Sequence, residues 1–196
     1  MDAACQLLDY AATHPDAIIR FHSSDMHLHV HSDASYLSEP KAKSRIGGYF
    51  FLSSKDKPES LEPPPRNGAV DVLSNILGPV VSSATEAETG GVFHNAKQAT
   101  YIRTILIELG WPQGPTPIQT DNKCAEGIIN ETVKQKRSKA MDMRYYWVRD
   151  RVKQGQFRVH WKAGSENRGD YFTKHHPTTH HRTVRPIYIQ PPSKPD

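Results

Sequence analysis

Cysteine and long apolar runs are both scarce in this 196-residue chain. Its two cysteines, Cys5 and Cys124, are too few for a disulfide framework or a four-cysteine zinc site, and they fit a reducing compartment. No apolar run approaches the roughly 20 residues that span a bilayer. The N-terminal stretch lacks the basic and apolar regions of a secretory signal. We therefore expect an intracellular protein that is not secreted and has no membrane segment.

Positive charge exceeds negative charge only slightly, with 25 lysines and arginines against 21 acidic residues and a net charge of +4. This excess favours an anionic partner such as nucleic acid. Basic residues are concentrated in 134–153, where Tyr145, Tyr146 and Trp147 interrupt them. The segment predicts either contact with nucleic-acid phosphates or a solvated amphipathic helix with Tyr145 and Val148 in the core. The two interpretations have equal weight.

Hydrophobic periodicity predicts strands in most of the first half of the chain. Residues 26–32 (MHLHVHS) alternate between apolar side chains and histidines, as a half-buried strand does. Further strands are predicted at 17–23, 46–53, 69–73, 76–81, 116–120 and 156–161. The polar, proline-rich residues 53–68 predict a loop.

Helical spacing becomes clear from Thr85 onward. Thr85 and Glu88 have the spacing of a capping box, and Gly110 ends this helix. Further helices are predicted at 3–12, 122–129, 139–153 and 167–174. Three early strands followed by alternating strands and helices indicate an α/β protein in which helices pack on a mixed sheet.

Four carboxylates are placed where a sheet could bring them together. Asp33 and Asp121 end predicted strands, and Glu88 and Asp170 begin predicted helices. Clustered carboxylates repel unless cations lie between them, and their hard oxygen atoms select Mg²⁺ or Mn²⁺. Each acid also has an ordinary explanation, because Asp after a strand and Glu in a first helical turn are common. Spacing alone therefore does not select these four from 21 acids.

The sequence contains five motifs in order, four of which include one of these acids. They are HSDASY (31–36) with SRIGGYFFL (44–52), SSATEAE (82–88), DNKCA (121–125), SKAMDMRYYWVRD (138–150) and ENRGDYFTK (166–174). In this order they resemble the ribonuclease H domains of copia-type LTR retrotransposon polyproteins. The second motif is similar to that family's S-S-T-E-A-E with one inserted residue, and the last is similar to its A-D-x-x-T-K.

The resemblance implies an RNase H-like fold, a five-stranded mixed sheet with three antiparallel strands first and helices on both faces. It also implies that Asp33, Glu88, Asp121 and Asp170 are the catalytic residues and hold two Mg²⁺ ions, with Mn²⁺ as a substitute. Glu88 is preferred because the family's catalytic Glu is the second acid of T-E-A-E. Such a site hydrolyses the RNA strand of RNA/DNA hybrids during reverse transcription and leaves 5′-phosphate and 3′-hydroxyl ends.

Contacts with the hybrid are expected near the carboxylates and in the basic segment. The residues concerned are Ser35, Gly48, Asn122, Lys139, Arg144 and Asn167. The chain departs from the family pattern at Ala140, where the family has His, and at Thr89, where it has Tyr. The turn 162–165 also lacks the His that cellular relatives carry before the last carboxylate. Any role of those side chains is absent here.

The resemblance divides the chain into three parts. Residues 1–24 are expected to be a linker remnant from an upstream reverse transcriptase region, 25–174 the ribonuclease H domain, and 175–196 a loose tail rich in His and Pro. The implied partners are an RNA/DNA hybrid and the reverse transcriptase of the parent polyprotein. The isolated domain is expected to be a monomer, located in the cytoplasm or a virus-like particle.

Three other functions compete with this one. A noncatalytic hybrid-binding or polymerase-supporting module is disfavoured because all four carboxylates are present. Integrase or transposase strand-transfer domains have the acid order D-D-E, whereas Glu comes second here. His27, His29 and His31 have the H-x-H spacing of a phosphoesterase metal site, but such sites need further ligands on later strands. A solvated strand face is the preferred interpretation of these histidines.

Overall fold

A five-stranded mixed sheet is the framework of residues 23–175, one of two units into which the chain divides. In this computed structural model, the described residues are 2–54, 67–133 and 142–190. The strands are β1 His27–Glu39, β2 Lys43–Ser53, β3 Ala69–Ile76, β4 Thr116–Thr120 and β5 Phe157–Trp161. Their order is β3-β2-β1-β4-β5, with β1 to β3 antiparallel and β4 parallel to both β1 and β5. The predicted mixed sheet is confirmed.

The helices of the described residues follow the predicted positions closely in the middle of the chain. They are α1 Asp2–Thr13, α2 Ala84–Glu108, α3 Lys123–Ile129, α4 Asp142–Lys153 and α5 Thr178–Tyr188. Short 3-10 helices occur at Pro40–Ala42, Gly164–Glu166 and Asp170–Phe172. Most of the predicted loop 53–68 and the start of the predicted helix 139–153 lie outside the described residues.

Helix α2 begins two residues earlier than the predicted capping box. Its N-cap is Ser83, whose Oγ accepts a hydrogen bond from the backbone N–H of Glu86 (3.2 Å). The Glu86 carboxylate in turn accepts from the backbone N–H of Ser82 (2.7 Å). The capping box is therefore formed by Ser83 and Glu86, and the prediction of Thr85 and Glu88 was wrong. Glu88 lies beyond the cap, so its carboxylate is available for other contacts.

The main core lies between one face of the sheet and helices α2, α3 and α4. It contains the buried residues Leu28, Val30, Phe50, Val92, Ala96, Ala99, Ile118, Ile129, Val148 and Phe157. The small residues of α2 allow the helix to approach β1 closely, since a Cβ at Gly91 would lie 3.2 Å from the carbonyl oxygen of Asp33. Strand β3 ends at Ile76, and residues 77–81 form no strand, so the prediction of a strand at 76–81 was wrong. Gly78-Pro79 lies there, and proline cannot donate a ladder hydrogen bond.

The opposite face of the sheet is covered in part by the closing segment 167–173. The 3-10 helix within it packs on β2, where the rings of Tyr49 and Phe172 lie 6.3 Å apart. A Cβ at Gly47 would collide with the carbonyl oxygen of Gly169. The predicted helix 167–174 is reduced to one 3-10 turn, because contacts with β1 hold both ends of this short segment.

The second unit consists of the two chain termini, 1–22 and 176–196. Within it, Ile18 and Gln190 form an isolated antiparallel bridge where a strand 17–23 is predicted. The guanidinium of Arg185 lies 5.5 Å from the ring centroid of Tyr10, and its Nε donates to the Tyr10 hydroxyl (2.5 Å). The C-terminal segment thus contains a helix, α5, where the sequence predicts a loose tail, and contacts with α1 hold that helix in place.

Candidate metal centre

Three carboxylates from three elements converge at one end of the sheet. Asp33 lies within β1, Glu88 lies in the second turn of α2, and Asp121 follows β4 directly. One carboxylate oxygen of each lies within 4.8 Å of the others. Asp33 and Glu88 are buried and Asp121 is more open, so the cluster has one side accessible to solvent.

Hydrogen bonds from neighbouring strands fix the Glu88 carboxylate. Its Oε1 accepts from the backbone N–H of Ala34 (3.1 Å), and its Oε2 lies 3.5 Å from the hydroxyl of Thr120. Ala34 follows Asp33 on β1, and Thr120, the last residue of β4, precedes Asp121. Glu88 is therefore held between the two strands that position the other acids.

Asp33 is fixed by the closing segment of the sheet unit. The hydroxyl of Thr173 donates to Oδ2 of Asp33 (2.9 Å) and also contacts the carbonyl oxygen of Asp170 (2.8 Å). A side chain at Gly164 would come within 2.6 Å of Oδ2 of Asp121, so the turn after β5 passes close to that carboxylate. The chain therefore surrounds the cluster with backbone and hydroxyl groups.

The three carboxyl groups are costly to ionise together. Burial raises the pKa of Asp33 to about 6, the nearby charges of Asp121 and Asp170 add to the increase, and the Thr173 hydrogen bond opposes it. Burial also raises the pKa of Glu88 well above its ordinary value, with further increases from Asp33 and Asp121. The pKa of Asp121 is raised by burial and by Asp170. A bound cation would relieve this cost directly.

Asp170 lies at the margin of the cluster. Its charge raises the pKa of both Asp33 and Asp121, but its ligand atoms are not among those that meet within 4.8 Å. Its Oδ1 accepts from the ammonium of Lys174 (2.5 Å). The structure thus brings together three of the four predicted acids and places the fourth beside them, paired with a lysine.

The donor set fits a hard divalent cation. All three converging ligands are carboxylates, which Mg²⁺ and Mn²⁺ favour over soft metals. His, Cys, Asp and Glu side chains can all bind metals. Among the described residues, those that lie close enough together to share one ion are Asp33, Glu88 and Asp121. The residues present therefore agree with the predicted class of metal.

Two of the three histidines of β1, His29 and His31, belong to the interior, and His27 is half-buried. His29 and His31 are only 5% and 6% exposed, and both rings pack on Phe51. His29 Nε2 lies 3.1 Å from the carbonyl oxygen of Ser54, and His31 Nδ1 accepts from the backbone N–H of Arg168 (3.0 Å). The predicted solvated strand face was wrong for His29 and His31, because β2 and the closing segment cover these two side chains.

Gly48 and Asn167, two of the predicted nucleic-acid contacts, also have internal roles. Gly48 is buried under α2, where a Cβ would collide with the side-chain oxygen of Asn95. Asn167 is also buried, and its amide donates to the carbonyl oxygen of Ser32 (2.8 Å) and accepts from the N–H of Gly169 (2.9 Å). For both residues a contact with nucleic acid stays a prediction, and their internal packing limits it to the small part of each that solvent reaches.

The remaining predicted contacts are partly accessible or lie outside the description. Ser35 Oγ donates to the carbonyl oxygen of Thr173 (2.5 Å), and Asn122 is the N-cap of α3. Arg144 is half-buried on α4. Lys139 lies outside the described residues. For Ser35, Asn122 and Arg144 a contact with nucleic acid stays a prediction.

Sequence reasoning missed several residues that support the site. Thr173 and Lys174 contact Asp33 and Asp170, and both belong to the closing T-K of the last motif, which could have indicated them. The indole N–H of Trp161 donates to the carbonyl oxygen of Asp121 (2.9 Å), and the Lys123 ammonium lies 4.2 Å from the Trp161 ring centroid. No local pattern in the sequence indicates this second pair.

Comparisons with solved structures define the class of fold. The chain superposes on LC11-RNase H1, isolated from compost by a metagenomic approach, with a TM-score of 0.54 and 11% identity over 75% of this chain and 92% of that one. The structure of LC11-RNase H1 in complex with an RNA/DNA hybrid gives a TM-score of 0.53 and 10% identity over 74% of this chain and 93% of that one. The chain therefore has the fold of ribonuclease H domains.

Comparisons of sequence find similarity to retrotransposon polyproteins. The chain is 27% identical over 154 residues to the retrovirus-related Pol polyprotein from transposon TNT 1-94 of Nicotiana tabacum, covering 79% of this chain. It is 27% identical over 175 residues to that from transposon RE2 of Arabidopsis thaliana, covering 88% of this chain. It spans about a tenth of these relatives, 11% of each. No family model matches the chain. The resemblance to copia-type Pol polyproteins is nevertheless confirmed.

Within the described ranges, none of the helices combines the length and apolar character needed to cross a bilayer.

Proposed function

We propose that this chain is a ribonuclease H, an endonuclease that hydrolyses the RNA strand of RNA/DNA hybrids with two divalent metal ions. The observation that carries the proposal is the convergence of Asp33, Glu88 and Asp121 in a ribonuclease H fold. The similarity to retrotransposon Pol polyproteins supports a role in reverse transcription. The reaction would leave 5′-phosphate and 3′-hydroxyl ends.

The four acids have different tasks in this proposal. Asp33, Glu88 and Asp121 would hold the metal ions, and Asp170 would complete the set from the margin. Bound metal ions would supply Lewis-acid polarisation of the scissile phosphate and a hydroxide nucleophile at neutral pH. Thr173 holds Asp33 in orientation through its hydroxyl, and the Ala34 N–H holds Glu88. Lys174 balances the charge of Asp170 through their ion pair.

The similarity to retrotransposon Pol polyproteins supports the proposed setting. Residues 25–174 would form the ribonuclease H domain, flanked by a linker remnant at 1–24 and a C-terminal segment at 175–196. The partners would be an RNA/DNA hybrid and the reverse transcriptase of the parent polyprotein. The domain would act as a monomer inside the cell, in the cytoplasm or a virus-like particle.

The test is cleavage of a labelled RNA/DNA hybrid by the full chain in Mg²⁺ or Mn²⁺. Single-stranded RNA and duplex DNA serve as substrate controls. Asp121→Asn should abolish cutting, whereas Glu108→Gln, at the exposed end of α2, should cut like the original chain. Phosphatase-sensitive 5′ ends would identify the products. Hybrid binding without cutting in either metal would overturn the proposal and favour a noncatalytic hybrid-binding module.

A further inference from the structure

A second surface of the sheet unit lies between α2 and α4. An open groove of about 420 Å³ separates the two helices there. Phe93, Lys97 and Tyr101 line it from α2, and Met143, Arg144 and Trp147 line it from α4. Tyr101 is 60% exposed and Met143 is 84% exposed, so the groove opens to solvent. Neither the carboxylate cluster nor its supporting residues belong to it.

Aromatic rings form much of the groove. Phe93 and Trp147 pack edge to face with their centroids 5.6 Å apart, which fixes the orientation of both rings. Tyr101 lies two turns further along α2, with its side chain largely exposed. Aromatic side chains in an open groove are the platforms on which unpaired bases stack.

Cations lie beside these rings. The Arg144 guanidinium is 5.9 Å from the Phe93 centroid, and the Arg151 guanidinium is 5.1 Å from the Trp147 centroid. Burial, then Arg144, then Lys97 lower the pKa of His94, which places positive potential from both cations on this part of α2. None of the described residues that line the groove is acidic. The charge complements a polyanion and disfavours a basic peptide.

Helix α2 connects the groove to the candidate metal centre, so the distance between them can be measured along its axis. Phe93 follows Glu88 by five residues, about 8 Å along the helix axis, and Tyr101 follows it by thirteen, about 20 Å. A nucleic-acid strand that extends beyond the duplex at the metal centre is a polyanion. Its bases are unpaired and can therefore stack on aromatic rings. Paired bases in a hybrid are not available for this contact.

We propose that the groove between α2 and α4 binds single-stranded nucleic acid, with bases stacked on Tyr101 and Trp147 and phosphates beside Lys97 and Arg144. The inference rests on the proposed function only in taking nucleic acid as the partner. It adds a contact for unpaired nucleotides that lie outside the hybrid at the carboxylate cluster.

Fluorescence anisotropy of the full chain with a labelled single-stranded oligothymidylate tests the proposal without metal. Tyr101→Ala should weaken binding by about 5- to 150-fold, the range for loss of one stacked base. Tyr146→Ala is the matched control, because Tyr146 is an equally exposed tyrosine of α4 outside the groove. Lys97→Gln should weaken binding and reduce its salt dependence, and Lys153→Gln, which removes an ion pair with Glu131, should do neither.

Photo-crosslinking gives a second measurement that does not depend on a folded variant. An oligonucleotide with bromodeoxyuridine should crosslink to peptides of α2 and α4 that contain Tyr101 or Trp147. Asp121→Asn should bind and crosslink like the original chain, so loss of cleavage and loss of groove binding are distinguishable. Crosslinks confined to other peptides, or equal affinity for Tyr101→Ala and Tyr146→Ala, would overturn the proposal. Equal affinity of these two variants would favour a protein as the partner that binds in the groove.

Discussion

Thr173 donates a hydrogen bond of 2.9 Å to Oδ2 of Asp33 from a position 140 residues further along the chain. The first and last motifs of the sequence therefore meet in one contact. The Thr173 hydroxyl is buried, and its hydrogen bond favours the ionised form of a carboxyl group whose pKa is raised by burial. The closing segment thus positions the central acid of the site.

Replacing Thr173 by Val should weaken metal binding. The change keeps the shape of the side chain but leaves Asp33 without this donor, so the pKa of Asp33 rises and its carboxylate loses its fixed orientation. We expect a loss of about 1 kcal/mol in folding stability, with weaker Mn²⁺ affinity in isothermal titration calorimetry. Thr173→Ser retains the hydroxyl and should restore most of the affinity. Equal Mn²⁺ affinity of Thr173→Val and the original chain would contradict the positioning role.

The raised pKa of Asp33 predicts that the metal-free protein becomes less stable as pH rises. Its pKa is 3.8 ordinarily and about 6 in the fold, chiefly because of burial. Between these values the folded state holds a proton that the unfolded state has released. The free energy of unfolding should therefore fall from about pH 4 to about pH 6, by at most about 3 kcal/mol for this group.

A divalent cation should reverse that loss. Mg²⁺ should raise the melting temperature more at about pH 7.5 than at about pH 5, because only the ionised carboxylates bind it. Thermal melts with and without Mg²⁺ measure the effect. Asp33→Asn should make the metal-free protein more stable near neutral pH and remove most of the Mg²⁺ shift. If Mg²⁺ raised the melting temperature of Asp33→Asn by the same amount, the assignment of Asp33 as a ligand would be wrong.

Much of the sheet and the acid set could be predicted from the sequence because their signals are local. The alternation around Leu28 and Val30 marks β1, and the motifs around Asp33 and Asp121 mark the ends that face the site. The helix start was misplaced because Ser83 with Glu86 and Thr85 with Glu88 have the same capping-box spacing. Local spacing could not choose between these pairs.

Contacts between distant parts of the chain account for what could not be predicted. Glu88 accepts from Ala34, 54 residues earlier, and Asn167 donates to Ser32, 135 residues earlier. A pattern within a few residues carries no information about such partners. The same reason explains why the internal hydrogen bonds of the Asn167 amide could not be predicted.

His29 and His160 should make the fold sensitive to acid. Burial lowers the pKa of each from 6.5 to about 4. Between these values the unfolded state takes up protons that the folded state does not, so stability is lost as pH falls from about 6.5 to about 4. The loss is at most about 3 kcal/mol for each histidine, and less for the half-buried His160.

This effect has the opposite sign to that of Asp33 over nearly the same range of pH. The two are separated by measuring urea unfolding against pH in the Asp33→Asn background. Adding His160→Gln there should reduce the loss of stability at low pH, because glutamine takes up no proton. An unchanged slope after that substitution would show that His160 does not contribute.

Trp161 should report on metal binding at Asp121. Its indole N–H donates to the Asp121 carbonyl oxygen, so Trp161→Phe keeps an aromatic ring beside Lys123 and removes one hydrogen bond. We expect a destabilisation of about 1 kcal/mol and a modest loss of Mn²⁺ affinity. Mn²⁺ should quench the tryptophan emission of the original chain, and most of that quenching should disappear in Trp161→Phe. If the quenching were unchanged in Trp161→Phe, it would have to come from another tryptophan.

Gly47 should tolerate no side chain because the closing segment lies directly on it. A Cβ there would collide with the carbonyl oxygen of Gly169 and would lie 2.7 Å from the methyl group of Thr173. Gly47→Ala should therefore push the segment away from β2, at a cost of about 1–3 kcal/mol, and should weaken metal binding through displacement of Thr173. Gly78→Ala is the matched control, since a Cβ at Gly78 meets no described atom within 4 Å. Urea unfolding gives the stability, and calorimetry with Mn²⁺ gives the affinity. If Gly47→Ala loses stability but binds Mn²⁺ normally, the closing segment supports the fold without positioning Asp33.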